Sequence, residues 1–278
     1  MTKPDYTALA FPGAPEGRPY VIVNMVMSAD GKVVIEGTEQ GIGSKADQRL
    51  MRELRVHADV ILNGAATLRA SGASPRLGGD EALEQLRLAR GKPRFPTSSV
   101  LSGSGDLPLD RIFFTADDFH AVVYLAGSAP ADRVEAIRAT GRPVVMVPTA
   151  NPLQSVLGHM RKELGASLLL VEGGPTLNRQ LFDLGAVDEF FLTLGPVVVG
   201  GAHGLSAVGG DGPYPRDGVR RLDLVHAIPN EETGEVYLRY RVVSPGMTDD
   251  ISGQARSVAA TSTAATSPAS VGRNAARA

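Results

Sequence analysis

The stretch Leu168-Leu169-Leu170-Val171-Glu172-Gly173-Gly174-Pro175-Thr176-Leu177 decides how this chain folds. Four apolar residues end in a carboxylate, two glycines and a proline. An amphipathic pattern then begins, with Leu177, Leu181 and Leu184 at i, i+4 and i+7 and Gly185 placed to stop the helix. The pattern predicts a buried strand, a tight turn, and a helix beginning at Pro175, whose missing N–H would have no intrahelical partner there. Glycines at such a turn let a ligand approach the backbone, where unpaired N–H groups and the helix dipole favour an anion such as a phosphate. The dipole contributes only about 0.3–1 kcal/mol, so other contacts must supply most of any binding. Taken alone, these residues also describe an ordinary strand-to-helix turn.

Outward from this segment, strand-like and helix-like stretches alternate. Residues 20–27 read as a strand. Residues 44–57 read as a helix, with Ser44 and Asp47 spaced as a capping box and Leu50, Met51 and Leu54 on one face. A short strand over 60–62, a strand over 122–125, a helix over 131–140, a strand over 144–147 and a helix over 152–164 follow. Further strands are expected over 189–194, 221–226 and 236–242. Repeated strand–helix–strand units predict one α/β domain with a largely parallel sheet and antiparallel additions at its end. Residues 71–110, rich in Gly, Pro and Ser, read as long loops with one strand near Ser99. Residues 1–18 read as a flexible arm. Residues 244–278 read as a disordered tail, with too little large apolar surface to offset its ordering entropy.

With 278 residues the chain can bury a sizeable core. Its 28 basic and 30 acidic side chains nearly cancel, so no electrostatic attraction to nucleic acid or anionic membrane is expected. The absence of cysteine excludes disulfides, thiolate zinc sites and a cysteine nucleophile. The five histidines are scattered and none sits in a metal-ligand pair, so no metal is expected. No run reaches the roughly 18 apolar residues of a membrane span, and the first residues lack a signal-peptide layout. A cytoplasmic location is the expectation. A G-x-S-x-G elbow is missing, Gly41-Ile42-Gly43-Ser44-Lys45 lacks P-loop spacing, and no G-x-G-x-x-G follows the first strand.

Three other motifs bear on chemistry. Ser28-Ala29-Asp30-Gly31-Lys32 follows the first strand, either as a plain turn or as one that sets Lys32 at the sheet's mouth for an anionic substrate or a proton transfer. The small residues of Asn63-Gly64-Ala65-Ala66-Thr67 permit either a flat ligand against the backbone or close helix packing. Arg49, Arg52 and Arg55 recur every three residues, as a solvated face or as a phosphate clamp.

In order, Ser28-x-Asp30-Gly31-Lys32, Gly43-Ser44, Leu62-x-Gly64-x-x-Thr67, Val171-Glu172-Gly173-Gly174, Val187-Asp188-Glu189 and the run from Gly195 to Gly201 resemble the pyrimidine-reductase family of riboflavin biosynthesis. The resemblance spans residues 19–243. It implies a three-layer, dihydrofolate-reductase-like fold and an NADPH-dependent transfer of hydride to the aldehyde carbon of an opened ribose on a phosphorylated aminopyrimidine. By the same resemblance, Gly173, Gly174, Pro175, Thr176 and Leu177 would hold the cofactor's phosphates, and Gly64 and Thr67 would border the nicotinamide. Glu172 would reach a substrate hydroxyl or ring, and Lys32 would orient or protonate the sugar oxygen. Asp30, Ser44, Arg55 and Arg76 would serve the substrate, the last three near its phosphate.

Two departures are visible. Where relatives continue with an acidic residue and proline, this chain reads Leu68-Arg69-Ala70-Ser71-Gly72. Where relatives carry Ser-Arg for the cofactor's 2′-phosphate, it reads Ser102-Gly103-Ser104, leaving Ser102 as the cofactor-side candidate. The H-x-E and P-C-x-x-C zinc ligands of the family's partner deaminase do not occur in these residues. Reduction of another heterocycle such as a pterin, or a non-catalytic nucleotide-binding role, remains open. A homodimer is expected, with strand 190–194 as a candidate to pair across it.

Overall fold

The elements, in chain order, are β1 (Tyr20–Ser28), α1 (Lys45–Arg55), β2 (Val60–Gly64), α2 (Ala65–Ser71), α3 (Glu81–Ala89), β3 (Thr97–Ser102), α4 (Ile112–Thr115), β4 (Ala121–Ala126) and α5 (Ala131–Arg138), then β5 (Val144–Val147), α6 (Pro152–Lys162), β6 (Leu168–Val171), α7 (Pro175–Asp183), β7 (Glu189–Gly195), β8 (Arg221–Pro229) and β9 (Val236–Val243). The structure, a computed structural model, describes residues 3–201 and 204–243. The tail expected over 244–278 lies outside the described residues.

The nine strands of the described residues form one sheet in the order β5-β4-β3-β2-β6-β1-β7-β9-β8. Strands β1 to β7 pair in parallel, and the β8–β9 hairpin adds antiparallel to β7. Side chains alternate across the sheet. Val21, Val23, Leu169 and Val171 face α6 and α7, where Val156, Met160, Leu177 and Leu181 are buried against them. Tyr20, Ile22, Leu168 and Leu170 face the other way, onto Leu50 and Leu54 of α1. The result is three layers, helix–sheet–helix. The chain passes from β1 to β2 across the slot later filled by β6, so the carboxyl ends of these three strands adjoin where strand order reverses. Open α/β sheets place ligands at that point. No helix of the described residues is long and apolar enough to cross a membrane.

Three expectations are corrected. The N-terminal segment is tied down: Tyr6 is buried edge-on against Phe191, its backbone N–H donates to Glu53, and Arg18 makes a bidentate pair with Asp188. Apolar and ionic anchors that are far apart in sequence fix an arm that looks loose locally.

The stretch 71–110 holds α3, which local periodicity misses because two of its inward positions are charged. Glu84 is buried, and Arg87 is fully enclosed. The Arg87 guanidinium donates to the carbonyls of Arg55, Val56 and Ala58, at and just past the end of α1, where a cation also complements the helix dipole. Burial pushes its pKa down to about 10.

Strand β7 lies between β1 and β9, so residues 190–194 are paired on both sides and cannot join a second copy.

Candidate active site

A cleft of about 910 Å³ opens at the carboxyl ends of β1, β2 and β6, within the size range of small-molecule sites. Met25 and Asn63 contribute to it from the strands, and the turn from Glu172 to Pro175 closes one side. The inward face of α1, carrying Asp47, Met51, Arg52 and Arg55, forms a wall, and Thr67, Ser74 and Arg76 also border the space.

The glycine turn is built for backbone contact. Gly64 N–H donates to the Gly173 carbonyl at 2.8 Å, and the Gly173-Gly174 peptide is cis. A β-carbon on Gly64 would lie 3.3 Å from the Gly174 nitrogen, and Gly173 sits at φ +97°, which disfavours any other residue. Gly174 caps α7 without a side-chain bond and Pro175 follows, leaving the N–H groups of Thr176 and Leu177 without intrahelical partners. A second glycine turn flanks the helix start: Gly209 N–H donates to the Pro175 carbonyl, and a β-carbon on Gly209 would lie 3.3 Å from Thr176 N. Asn178, fully buried in α7, anchors this loop through the Ala207 carbonyl. On β2, buried Asn63 has a side-chain Nδ2 with no partner among the described residues. A buried amide of this kind needs a partner, which a water or a ligand in the cleft can supply.

The charged candidates are distributed differently from their sequence order. Arg55 and Glu172 meet in a bidentate pair at 2.6 and 2.7 Å, and Arg55 also donates to the Arg76 carbonyl. Both side chains are only 10% exposed, so each charge depends on the other for compensation. Arg76 is held by Asp118 in a second bidentate pair, half exposed at the rim, with its guanidinium above the Phe119 ring. Arg52 makes no ion pair among the described residues.

Other expected residues stand outside the cleft lining. Asp30 accepts from the Ser28 hydroxyl and from the N–H groups of Val199 and Gly200, and these bonds, the Ser28 one first, hold its carboxyl down at about 2. It braces a loop. Lys32 closes the turn after β1 through backbone bonds to Ser28, and its stem runs against Gly204. Ser44 caps α1: its hydroxyl accepts from Ala46 and Asp47 and donates to Glu235. Ser102 is buried and accepts from Gly105 N–H inside its own turn.

The capping box at α1 is completed from elsewhere, which exposes a residue sequence reading took for a cap. Ser44 N–H donates to Glu235, 191 positions away, at 2.6 Å. Asp47 is therefore released from that duty and lines the cleft. Burial pushes its carboxyl up to about 6; the Thr193 hydroxyl opposes this and the nearby Glu235 charge adds to it. No arginine or lysine pairs with Asp47 among the described residues.

The chain belongs to the RibD C-terminal domain family, whose model matches residues 19–228. It is 30% identical over 207 residues to the 2,5-diamino-6-ribosylamino-4(3H)-pyrimidinone 5′-phosphate reductase of Methanothermobacter thermautotrophicus, covering 74% of this chain and 91% of that protein. The enzyme of the same name from Archaeoglobus fulgidus is 28% identical, over 75% of this chain and 94% of that protein. In fold the chain is similar to a pyrimidine reductase-like protein from Corynebacterium diphtheriae, with a TM-score of 0.71 at 24% identity over 81% of this chain and 92% of that one.

The Asp47 environment makes a testable demand on stability. Its folded pKa lies above the unfolded value, so the unfolded chain ionises first as pH rises. Stability contributed by the protonated form is full below about pH 4 and lost by pH 6 and above. An Asn at this position does not ionise. Asp47→Asn is expected to stabilise the protein by about 1–3 kcal/mol at pH 7.5, with no gain at pH 3.5. Urea unfolding at the two pH values measures this; equal effects at both would refute the assignment.

Proposed function

We propose that the protein is an NADPH-dependent reductase that converts the ribosyl group of a phosphorylated aminopyrimidine, of the 5-amino-6-(5-phosphoribosylamino)uracil type, to ribityl in riboflavin biosynthesis. The observation that carries this reading is that two groups suited to anions border one cleft. A glycine-walled start of α7 faces the same space as the arginine-bearing face of α1. Two phosphorylated ligands, a dinucleotide and a sugar phosphate, account for both. The names of the relatives support the choice of substrate.

The glycine cradle, which any β-carbon would crowd, fits a cofactor pyrophosphate held by the N–H groups of Gly174, Thr176 and Leu177. Gly64 and Thr67 would border the nicotinamide, and Asn63 would offer its unpaired N–H to a polar group there. When bound, the cofactor supplies the hydride. The remaining work falls to this chain: orienting the opened sugar and delivering a proton to the heteroatom that gains electrons. Lys32 is the proton donor in this reading, a role that rests on the family resemblance, since its side chain stands outside the cleft lining and would have to swing in from the turn after β1. The Arg55–Glu172 pair orients the sugar while keeping two charges neutralised at the cleft wall.

The protein acts as a homodimer in this reading, joined along β8. That outer strand exposes Leu222, Leu224 and Val225 and has no further partner strand among the described residues, an arrangement that favours pairing with another strand. Leu224→Lys is expected to sediment as a monomer where the unaltered protein sediments as a dimer; a monomer in both cases contradicts the interface.

The activity itself is checked by following NADPH absorbance with the phosphoribosylaminopyrimidine present. Substrate-dependent oxidation, faster than with NADH, is expected. Lys32→Met should lower kcat by about 10²-fold or more with NADPH affinity retained. NADPH binding without oxidation by this substrate would sink the proposed reaction.

A further inference from the structure

Helix α1 has the sheet beneath it and the cleft on one side, and residues 3–11 fasten to its other side. Glu53 marks that outer side. It stands two positions before Arg55, about 160° round the helix axis, and its side chain is 3% exposed. Three donors compensate the buried carboxylate: the Lys3 ammonium at 2.7 Å, the Tyr6 backbone N–H at 2.9 Å and Arg49 at 3.0 Å. Two of the three come from a segment that precedes the part of the chain matched to the family. A buried carboxylate stripped of its partners is costly, so helix and segment hold each other.

A second lock lies just past the end of the helix. His57 Nε2 is 2.7 Å from the Tyr6 carbonyl. A carbonyl only accepts, so Nε2 carries the proton and Nδ1 accepts from Arg90 at 3.1 Å. Burial pushes the His57 pKa down to about 4, which keeps the ring in this neutral form at neutral pH. Arg90, at the end of α3, also donates to the Thr7 carbonyl. On the sheet side, Tyr6 meets Phe191 edge-on at 5.2 Å and stacks against His226. Phe11 packs against Tyr20, His57 and Phe191, and the Arg239 guanidinium, held by Glu189, lies over both phenylalanine rings. Residues 3–11 thus tie α1 to α3, β7, β8 and β9 on the sheet face away from α7.

We propose that this segment is a positioning element of the cleft: by clamping the outer side of α1, it sets where the arginine-bearing wall stands relative to the glycine turn. On its inner side α1 is drawn toward that turn by the Arg55–Glu172 pair. A pull from one side alone would let the helix roll on Leu50 and Leu54; Glu53, held from the other side, blocks the roll. The start of α7 depends on none of these bonds. It lies on the opposite face of the sheet, where Leu177 and Leu181 are buried. Loosening the segment therefore spoils the fit of the ligand bound along α1 and spares the ligand bound at α7. Tyr6, Phe11 and Glu53 act through the helix and touch no ligand. This inference rests on the proposed function for the identity of the two ligands.

Tyr6→Ala and Phe11→Ala in the full chain test this, with Tyr6→Phe, which keeps the ring, as the conservative variant. Amide hydrogen exchange read by mass spectrometry compares the two walls directly. Both alanine variants are expected to lose protection over α1 and to keep it over α7. In steady-state kinetics, KM for the phosphoribosylaminopyrimidine is expected to rise about tenfold or more, with kcat and the KM for NADPH nearly unchanged, the pattern of lost uniform binding. Tyr6→Phe is expected to match the unaltered protein in both measurements. Phe11 is only half-buried, so its variant decides the matter if Tyr6→Ala does not fold. The inference is overturned if exchange over α1 is unchanged, if α1 and α7 lose protection together, or if KM for the aminopyrimidine stays the same or rises no more than that for NADPH. Absence of turnover in the unaltered protein would overturn the reaction alone, and exchange over α1 against α7 then decides the role of the segment.

Discussion

The bidentate pair between Arg55 and Glu172 ties the last turn of α1 to the turn that follows β6, and the cleft is the space between those two elements. Among the described residues neither group has another ionic partner, and both side chains are nearly enclosed. Separating the walls would strand a guanidinium and a carboxylate, and each stranded charge costs several kcal/mol in such surroundings. Arg87 secures the same helix end from behind through three carbonyls. The cleft therefore has a width fixed by charge compensation, while packing of Leu50 and Leu54 on the sheet fixes its height.

A second carboxylate network sets the other end of α1. Glu235 is almost fully buried and accepts from Ser44, Thr233 and Tyr237. By taking the Ser44 N–H it does what the helix's own Asp47 would do in a self-contained capping box. One acid fastens the helix, and another is left facing the cleft. The gain expected from Asp47→Asn follows from the same fact, since a group retained at a cost to stability is a common property of ligand sites.

The parts of this structure legible in the sequence are those written in short-range periodicity. The strand, glycine turn and helix around Glu172, the apolar stripe of α1 and the succession of parallel strands are all local patterns of period 2 or 3.6. The glycine turn and the arginines of α1 are legible in the same local way, and the family resemblance adds the expectation that they serve cofactor and substrate. What sequence could not reveal is set by pairing across long separations. Arg55 and Glu172 are 117 residues apart, and Ser44 and Glu235 are 191 apart; nothing local marks them as partners. Helix α3 was hidden because Arg87 stands where an apolar residue would keep the stripe. The interior position of β7 was hidden because its other neighbour, β9, comes later in the chain. Asp47 was visible only as a cap, since its release depends on Glu235.

A crystal structure with oxidised NADP and the ribityl phosphate product bound would test the central claim most directly, namely that the glycine turn at the start of α7 and the arginine-bearing face of α1 serve two phosphorylated ligands in one cleft. The predicted result is the cofactor pyrophosphate on the glycine turn and the product phosphate against the arginines that border the cleft. Both ligands bound elsewhere on the molecule, with the cleft empty, would contradict it.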